Sequence, residues 1–310
     1  MGKVNGKGSG LVDQLIRILN ERGPLTGKDL VRETGMEVFS AWKACRSCTQ
    51  ILNRLVGRRY LRLDKKVVGY ARLSPSIMRE FLNYTIIGLK EQTLAMESIA
   101  QSLQREIAAI SSKKMQLAGE TVVRVKEEHP DGEMIMERVA FIIAGDVVFN
   151  MAHSEPRPEF STGELVRGSD LDLIIVVDNL SEALVKDLDR FVYREKFNLL
   201  INPASKEELD YIIKDIDTVR EQLRFNNFKA MVASKILHEG LFLGGSRSIF
   251  DHIKNLLKEF GIEDKISLLE KKARQERVVA EKLLASAKNT DQDEELISLF
   301  YTTEEKEEII

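Results

Sequence analysis

Two aspartates at the start of an apolar segment are the residues of this sequence best suited to chemistry. Asp170 and Asp172 stand two positions apart, and the apolar run Leu173–Val177 follows them. Such a run predicts a buried strand, on which residues i and i+2 project from one face about 7 Å apart. Two carboxylates on one face can hold hard divalent cations, which bridge oxygen ligands to phosphates. The pattern therefore favours a metal site for phosphoryl chemistry over the alternative, a strand whose solvent end carries two ordinary acids.

Length, charge and cysteine content set broad limits on the chain. Its 310 residues suit two or three domains. The formal net charge is only −3, so any nucleic-acid contact must come from a local basic patch. No apolar run has membrane length, no signal peptide is recognised, and the two cysteines fit a reducing compartment. We therefore expect a cytoplasmic protein with no membrane partner.

The first 75 residues follow the order of three helices and a β-hairpin. Helices are predicted around Leu11–Leu19, from Thr26 to Gly35 and from about 37 to 56, and a hairpin over 60–73. This order resembles a winged helix-turn-helix, whose third helix contacts a nucleic-acid groove. Local basic residues are expected to bind DNA or RNA phosphates, namely Lys43, Arg46, Arg54, Arg58 and Arg59. The alternative is a solvated face on a protein-docking module.

Cys45 and Cys48 have the spacing of half a zinc site. Tetrahedral zinc needs two further ligands, and the four histidines lie far away in sequence and form no second pair. Within an amphipathic helix, both cysteines are expected to be small core residues.

A long helix is predicted from Ser74-Pro75 to about Ile110. Apolar residues recur along it every seven positions, at Leu82, Leu89, Met96, Leu103 and Ile110. Packing within the chain is favoured, and a homodimer through the 76–110 helix stays open as an alternative. The polar stretch 111–133 then predicts a connection between domains.

The middle of the chain alternates strands and helices. A strand over Val139–Ala144 ends at Gly145-Asp146, where Asp146 is expected to cap a helix over 147–152. Residues 153–169 predict an extended loop leading to Asp170. Further along, the patterns predict a helix from Ser181 to about Lys196, a strand at Phe197–Asn202, helices over 206–224 and 227–238, a short strand at 239–244, and a helical region from 246 that ends in an acidic tail.

The segment Ser169-Asp170-Leu171-Asp172-Leu173 resembles a motif of the DNA polymerase β-type nucleotidyltransferase superfamily, particularly its minimal members. The resemblance covers about residues 135–245, and the family's Gly-Ser turn falls at Gly145-Asp146, with His153-Ser154 as a rival. It implies that Asp170 and Asp172 bind Mg²⁺ or Mn²⁺ and that the domain transfers a nucleoside monophosphate from a nucleoside triphosphate. The nucleotide phosphates are then expected at Gly145, Asp146, Gly168, Ser169 and Arg167. Arg157, Arg167 and Lys229 are candidate clamps, although a plain surface position is the favoured alternative for each.

The family's third acid falls on Asn198, on the predicted strand Phe197–Asn202. An amide cannot act as a base and is a weaker cation ligand than a carboxylate. Asp146 is therefore the third catalytic candidate beside Asp170 and Asp172, with Asp210 as an alternative.

These expectations define an α+β chain with four segments. They are a winged-helix domain (1–75), a long linker helix and connection (76–132), a mixed-sheet nucleotidyltransferase-like domain (133–245) and C-terminal helices (246–310). The expected function is transfer of a nucleoside monophosphate to a nucleic-acid or protein acceptor that the winged helix recruits. The alternatives are a non-catalytic nucleic-acid-binding regulator that senses a nucleotide, and a scaffold for protein contacts.

Overall fold

The chain forms two compact units, both mixing helices with small sheets. A computed structural model describes residues 6–159, 162–287 and 294–302. The described residues of 1–62, 72–106 and 271–310 form the first unit, and those of 63–71 and 107–270 form the second. Within the described ranges, no helix is both long and apolar enough to cross a membrane.

Short helices surround a three-stranded antiparallel sheet in the first unit. Its elements begin with α1 (Gly6–Arg22), β1 (Leu25–Thr26), α2 (Gly27–Thr34), α3 (Val38–Ser47), β2 (Ile51–Leu55), β3 (Tyr60–Leu63), β4 (Ala71–Ser74), α4 (Ile77–Tyr84), β5 (Thr85–Leu89) and the first part of α5 (Thr93–Glu128). The sheet order is β1-β5-β2, while β3 and β4 form a separate hairpin. The fully buried side chains of Leu15, Leu30 and Ile87 lie in one apolar core with Trp42 and Phe81.

Two helix predictions in this unit are wrong. The helix expected over 37–56 ends at Ser47, and β2 follows it, with Cys45 buried in the core and Cys48 at the helix end. The helix expected from Ser74 to Ile110 is interrupted by β5, so the proposed 76–110 dimer helix does not exist as one element. Because β5 is buried and pairs with both β1 and β2, its β-branched residues favour the strand over helix continuation. The hairpin prediction over 60–73 is confirmed by β3 and β4.

The second unit is built around a four-stranded mixed sheet. After α5 it continues with α6 (Gly132–Arg138), β6 (Val139–Ala144), β7 (Pro156–Pro158), β8 (Leu165–Arg167), β9 (Leu171–Val177), α7 (Glu182–Ile201), β10 (Leu209–Asp215), α8 (Ile216–Gln222), α9 (Phe228–Glu239), β11 (Leu241–Gly245), α10 (Arg247–Glu259) and the first part of α11 (Ile262–Ser286); α12 (Glu294–Phe300) belongs to the first unit. The sheet order is β10-β9-β6-β11, and only β9 and β10 pair in parallel.

The two faces of β9 have different surroundings. Leu171, Leu173 and Ile175 lie in a core with side chains from α5, α6 and α7. Side chains alternate along a strand, so Asp172 projects from the opposite face. On that face Ile142 of β6 lies against Gly240, the residue that follows α9. The core therefore fixes the direction in which the aspartates point.

Several predictions for this unit are confirmed. The strands over 139–144 and 171–177, the helix that begins at Ser181, the helix over 227–238 and the strand near 239–244 are all present. Ser181 caps α7 through a hydrogen bond from Leu184 N. The C-terminal region is helical as expected where it is described, but its acidic tail from residue 303 lies outside the described residues.

The polar stretch 111–133, expected to connect domains, is mainly the end of α5. Four predictions are wrong. Residues 153–169, expected to form an extended loop, contain β7 and β8, and the helix expected over 147–152 is a 3₁₀ helix at Gly145–Phe149 that contains Asp146. Phe197–Asn202 forms the end of α7, because Leu199 and Leu200 continue its buried helical face. The helix expected over 206–224 is β10 followed by α8.

Candidate functional site

Four carboxylates lie on one face of the sheet where β9 and β10 begin. In the parallel register Asp172 is the partner of Asp210, and Leu171 N donates to Glu208 O at 2.9 Å, which brings Glu208 beside Asp170. Because alternate residues share a face, Asp170, Asp172, Glu208 and Asp210 form two rows of two. We call these four residues the acidic edge.

One row of the acidic edge is paired with a buried arginine. Arg157 of β7 forms ion pairs with Asp170 and, at 2.8 Å, with Glu208 Oε2. Its Nε also donates to Gly168 O at 2.8 Å. Burial raises the pKa of Glu208 above its ordinary value, and the charge of Arg157 only partly opposes that rise. Arg157 is therefore not the plain surface residue favoured from the sequence, since it is buried and its guanidinium contacts protein groups.

The other row lies beside the turn that follows β6. Gly145 has φ +73°, and a Cβ on it would stand 2.0 Å from Asp172 Oδ2. Only glycine lets the backbone approach the carboxylate this closely. Asp210, whose side chain is half exposed, pairs with Lys196 of α7 at 2.8 Å. The row of Asp172 and Asp210 is thus closely bordered by backbone on one side and open to solvent on the other.

A fifth carboxylate supports this turn from α9. Glu239 Oε1 accepts a hydrogen bond from Gly145 N at 3.4 Å, and its other oxygen pairs with Lys235 at 2.5 Å. Burial raises the pKa of Glu239 to about 7; Lys235 opposes the rise and the nearby charge of Asp172 adds to it. Glu239 was not among the candidate site residues, because it was assigned to the short strand over 239–244, whereas it is the last residue of α9.

The loop that carries Ser169 is anchored to α5 by the side chain of Lys114. Lys114 is fully buried, and its Nζ donates to the carbonyls of Arg167 and Ser169, each at 2.7 Å, and to Glu207. Burial lowers the pKa of Lys114 and raises that of Glu207, and their mutual attraction opposes both shifts. Every ammonium donor of Lys114 is thereby used to position the backbone just before Asp170.

The remaining predicted phosphate-binding residues have mainly positioning contacts. Asp146 Oδ2 accepts from Ser169 Oγ at 3.0 Å, which ties the turn to the loop, while the side chain of Arg167 is exposed. A Cβ on Gly168 would stand 1.9 Å from His153 O, so a close backbone contact requires glycine there. Lys229 lies elsewhere, in a cavity of about 700 Å³ lined also by Asp215 at the far end of β10.

Asn198 does not stand in the acidic edge. It lies on α7, and its amide donates to Glu195 Oε1 at 3.2 Å. The strand next to β9 is β10, and it presents Asp210 beside Asp172. Asn198 therefore does not take the place of a third carboxylate, because the strand predicted at Phe197–Asn202 is the end of α7.

The predicted nucleic-acid residues divide into two groups. Arg54 and Arg58 are exposed, and the surface pair of Arg54 with Glu97 is of the kind that contributes little stability. Lys43 donates to Ala287 O, Arg46 pairs with Glu281 at 2.5 Å, and Arg59 pairs with Glu80 at 2.5 Å and Glu281 at 2.9 Å. Lys43, Arg46 and Arg59 therefore have structural partners within the first unit.

The capacity of the site for metal is limited. Among the described residues, no group of three or more His, Cys, Asp or Glu side chains is arranged to hold a metal ion. Asp172 and Asp210 provide two carboxylates, which fits one cation whose remaining ligands come from phosphates and water. The CxxC pair does not contribute to such a group, and burial raises the pKa of the Cys45 thiol to about 12.

No protein-family model, curated protein or solved structure matches the chain, so its function is inferred from the geometry of the site.

Proposed function

We propose that the chain is a metal-dependent nucleotidyltransferase in which Asp172 and Asp210 bind the divalent cation. The observation that supports the proposal is the in-register pairing of these acids on adjacent parallel strands, beside the glycine turn after β6. The order of β6, glycine turn and β9 supports the proposal, because the resemblance to polymerase β-type enzymes implies a strand, a glycine turn and then the strand that carries Asp170 and Asp172.

The residues of the site would bind and orient a nucleoside triphosphate. The bound cation would neutralise phosphate charge and leave the α-phosphate open to attack. An acceptor hydroxyl would form a bond to the α-phosphorus while the bond to the β-phosphate oxygen breaks and pyrophosphate leaves. The hydroxyl proton would pass to solvent or to the half-exposed Asp210. Glu239 and Lys114 would act as positioning residues, since each holds the backbone on which the site depends.

Substitution of both metal-binding acids tests this proposal. In Asp172→Asn with Asp210→Asn, shape is kept and two charges are lost, so Mn²⁺-dependent affinity for a non-hydrolysable nucleoside triphosphate analogue should fall at least tenfold by calorimetry. Transfer of label from an α-labelled triphosphate to RNA, DNA or protein should disappear with it. Asp178→Asn, just beyond the other end of β9, is the matched control and should change neither the affinity for the analogue nor the transfer of label. Unchanged affinity in the double variant would refute the metal site. A wild type that binds the analogue with metal yet labels no acceptor would favour the nucleotide-sensing regulator.

We further propose that the first unit recruits a nucleic-acid acceptor. The order α1, β1, α2, α3, β2 and β5, with a β1-β5-β2 sheet, resembles a winged helix in which β3, β4 and α4 are inserted before the last strand. The exposed residues Arg54 and Arg58 provide local positive charge of the kind that phosphate contacts need, whereas Arg46 is paired with Glu281.

Neutralising two of these arginines should weaken binding of duplex nucleic acid. For Arg54→Gln with Arg58→Gln, we expect an affinity loss of about tenfold at low salt and a decrease of about 2 in the slope of log affinity against log salt. Arg17→Gln, an exposed change on α1, should leave both quantities unchanged. Fluorescence anisotropy of labelled duplexes measures both. An unaltered slope in the double variant would assign the first unit to protein docking instead.

A further inference from the structure

Arg157 reaches the acidic edge from an insertion between the glycine turn and β9. The strands β7 and β8 form a two-stranded antiparallel hairpin in which Arg157 pairs with Val166. This hairpin accounts for the length of the segment that separates Asp146 from Asp170, with 23 residues between them. The inserted segment therefore places a guanidinium beside two carboxylates.

The guanidinium is held as part of the fold. Its side chain is only 6% exposed, and it contacts Asp170, Glu208 and the Gly168 carbonyl at once. A planar guanidinium has several fixed donors, which suits it to bridge two carboxylates. If Arg157 left, two partly buried acids would face each other without a counter-charge, which is strongly unfavourable. Arg157 is therefore a permanent cation of the site.

Building on the proposed function, we infer that Arg157 takes the position of a second divalent cation, so that the site binds one metal ion only. Asp170 is committed to the guanidinium, and a metal ion beside it would also be repelled by the like charge of Arg157. Asp172 and Asp210 form the other row, beside the Gly145 turn, and this is the row to which the proposed function assigns the metal ion. The chain thus replaces one cation of a two-ion arrangement with its own side chain.

Counting bound Mn²⁺ tests this inference without requiring activity. The stoichiometry of Mn²⁺ alone, and of Mn²⁺ with a non-hydrolysable triphosphate analogue, is measured by electron paramagnetic resonance of the free ion. The analogue itself binds some Mn²⁺. The number of ions bound by the protein is therefore obtained by comparing the variants at the same analogue concentration. Wild type is expected to bind one protein-dependent ion per chain. Arg157→Gln should bind two, because Asp170 and Glu208 become available, and Arg157→Lys should bind one, because the charge is kept.

Further variants cover the possibility that Arg157→Gln does not fold, as judged by circular dichroism. In Arg157→Gln with Glu208→Gln, one of the two uncompensated charges is removed, and a second, weaker ion at Asp170 is still expected. Adding Asp172→Asn and Asp210→Asn to a folded Arg157 variant should remove the first ion and keep the second, which assigns each ion to its row.

The outcomes separate this inference from the proposed function. Two ions on the wild type would overturn the role of Arg157 and leave a metal-binding nucleotidyltransferase intact. No ion on the wild type but one on Arg157→Gln would overturn the site at Asp172 and Asp210, and with it the proposed function, while supporting Arg157 as a substitute cation. A folded Arg157 variant that binds no more Mn²⁺ than the wild type would overturn the inference.

Discussion

Replacing Lys114 by methionine is expected to lower the free energy of unfolding by about 3–5 kcal/mol, the range found when one partner of a buried ion pair is removed. Methionine keeps the length of the side chain but leaves Glu207, which is 4% exposed, as a buried charge without its ammonium partner. It also removes the donor to the carbonyls of Arg167 and Ser169. Urea denaturation measures the loss, and it should fall on the transition of the second unit.

Two companion variants show whether the buried contacts cause the loss. Lys113→Met changes the exposed neighbour on the same helix and should alter stability by less than about 0.5 kcal/mol. Lys114→Met combined with Glu207→Gln should recover part of the loss, because the uncompensated charge is gone while the two carbonyls stay unpaired. A Lys114→Met protein within about 1 kcal/mol of the wild type would contradict the buried pair.

The central pair of aspartates was predictable from the sequence because its signal is local. An apolar run with acids two residues apart determines both a strand and the face that the acids share, and β9 confirms the strand. Helix starts were equally predictable from the sequence, since the side chains of Ser181 and Asn227 each accept a hydrogen bond from the backbone N–H three residues ahead. Features of this kind depend only on neighbours along the chain.

The partner strand was missed because short apolar runs are ambiguous between helix and strand. Phe197–Asn202 looks like a strand when taken alone, but it lies at the end of a helix whose buried face began much earlier, at Leu184. The alternation of Leu209, Asp210 and Tyr211 carried the correct signal for the strand. A helix between two strands that pair in parallel favours the later segment, because the crossover must be completed before the second strand begins.

The charged partners could not be predicted because they are distant in sequence. Lys114 is separated by 93 positions from Glu207, and nothing local marks it as different from Lys113. Arg157 was predicted to be a plain surface residue or a phosphate clamp, because the sequence shows its charge but not its burial. Whether a basic residue faces a ligand or a buried carboxylate is decided by tertiary packing, so these roles emerged only from the structure.

Replacing Gly145 by alanine is expected to impair the site far more than the fold. The positive φ costs an alanine about 1–2 kcal/mol of stability. Since its Cβ would stand 2.0 Å from Asp172 Oδ2, the carboxylate must also rotate away from its position beside Asp210. We therefore expect Mn²⁺-dependent affinity for the triphosphate analogue to fall about tenfold or more, which corresponds to about 1.4 kcal/mol or more of binding free energy.

Gly261→Ala is the control that distinguishes the two effects of Gly145→Ala, which are backbone strain and displacement of the Asp172 carboxylate. Gly261 also has a positive φ, +61°, but a Cβ there would meet no heavy atom within 4 Å. It lies in the same unit, so its substitution should cost a similar amount of stability while leaving metal-dependent nucleotide affinity unchanged. Calorimetry and urea denaturation of both variants give the comparison. Equal affinity in the two variants would mean that the position of the Asp172 carboxylate does not control binding, and the role assigned to the Gly145 turn would then be wrong.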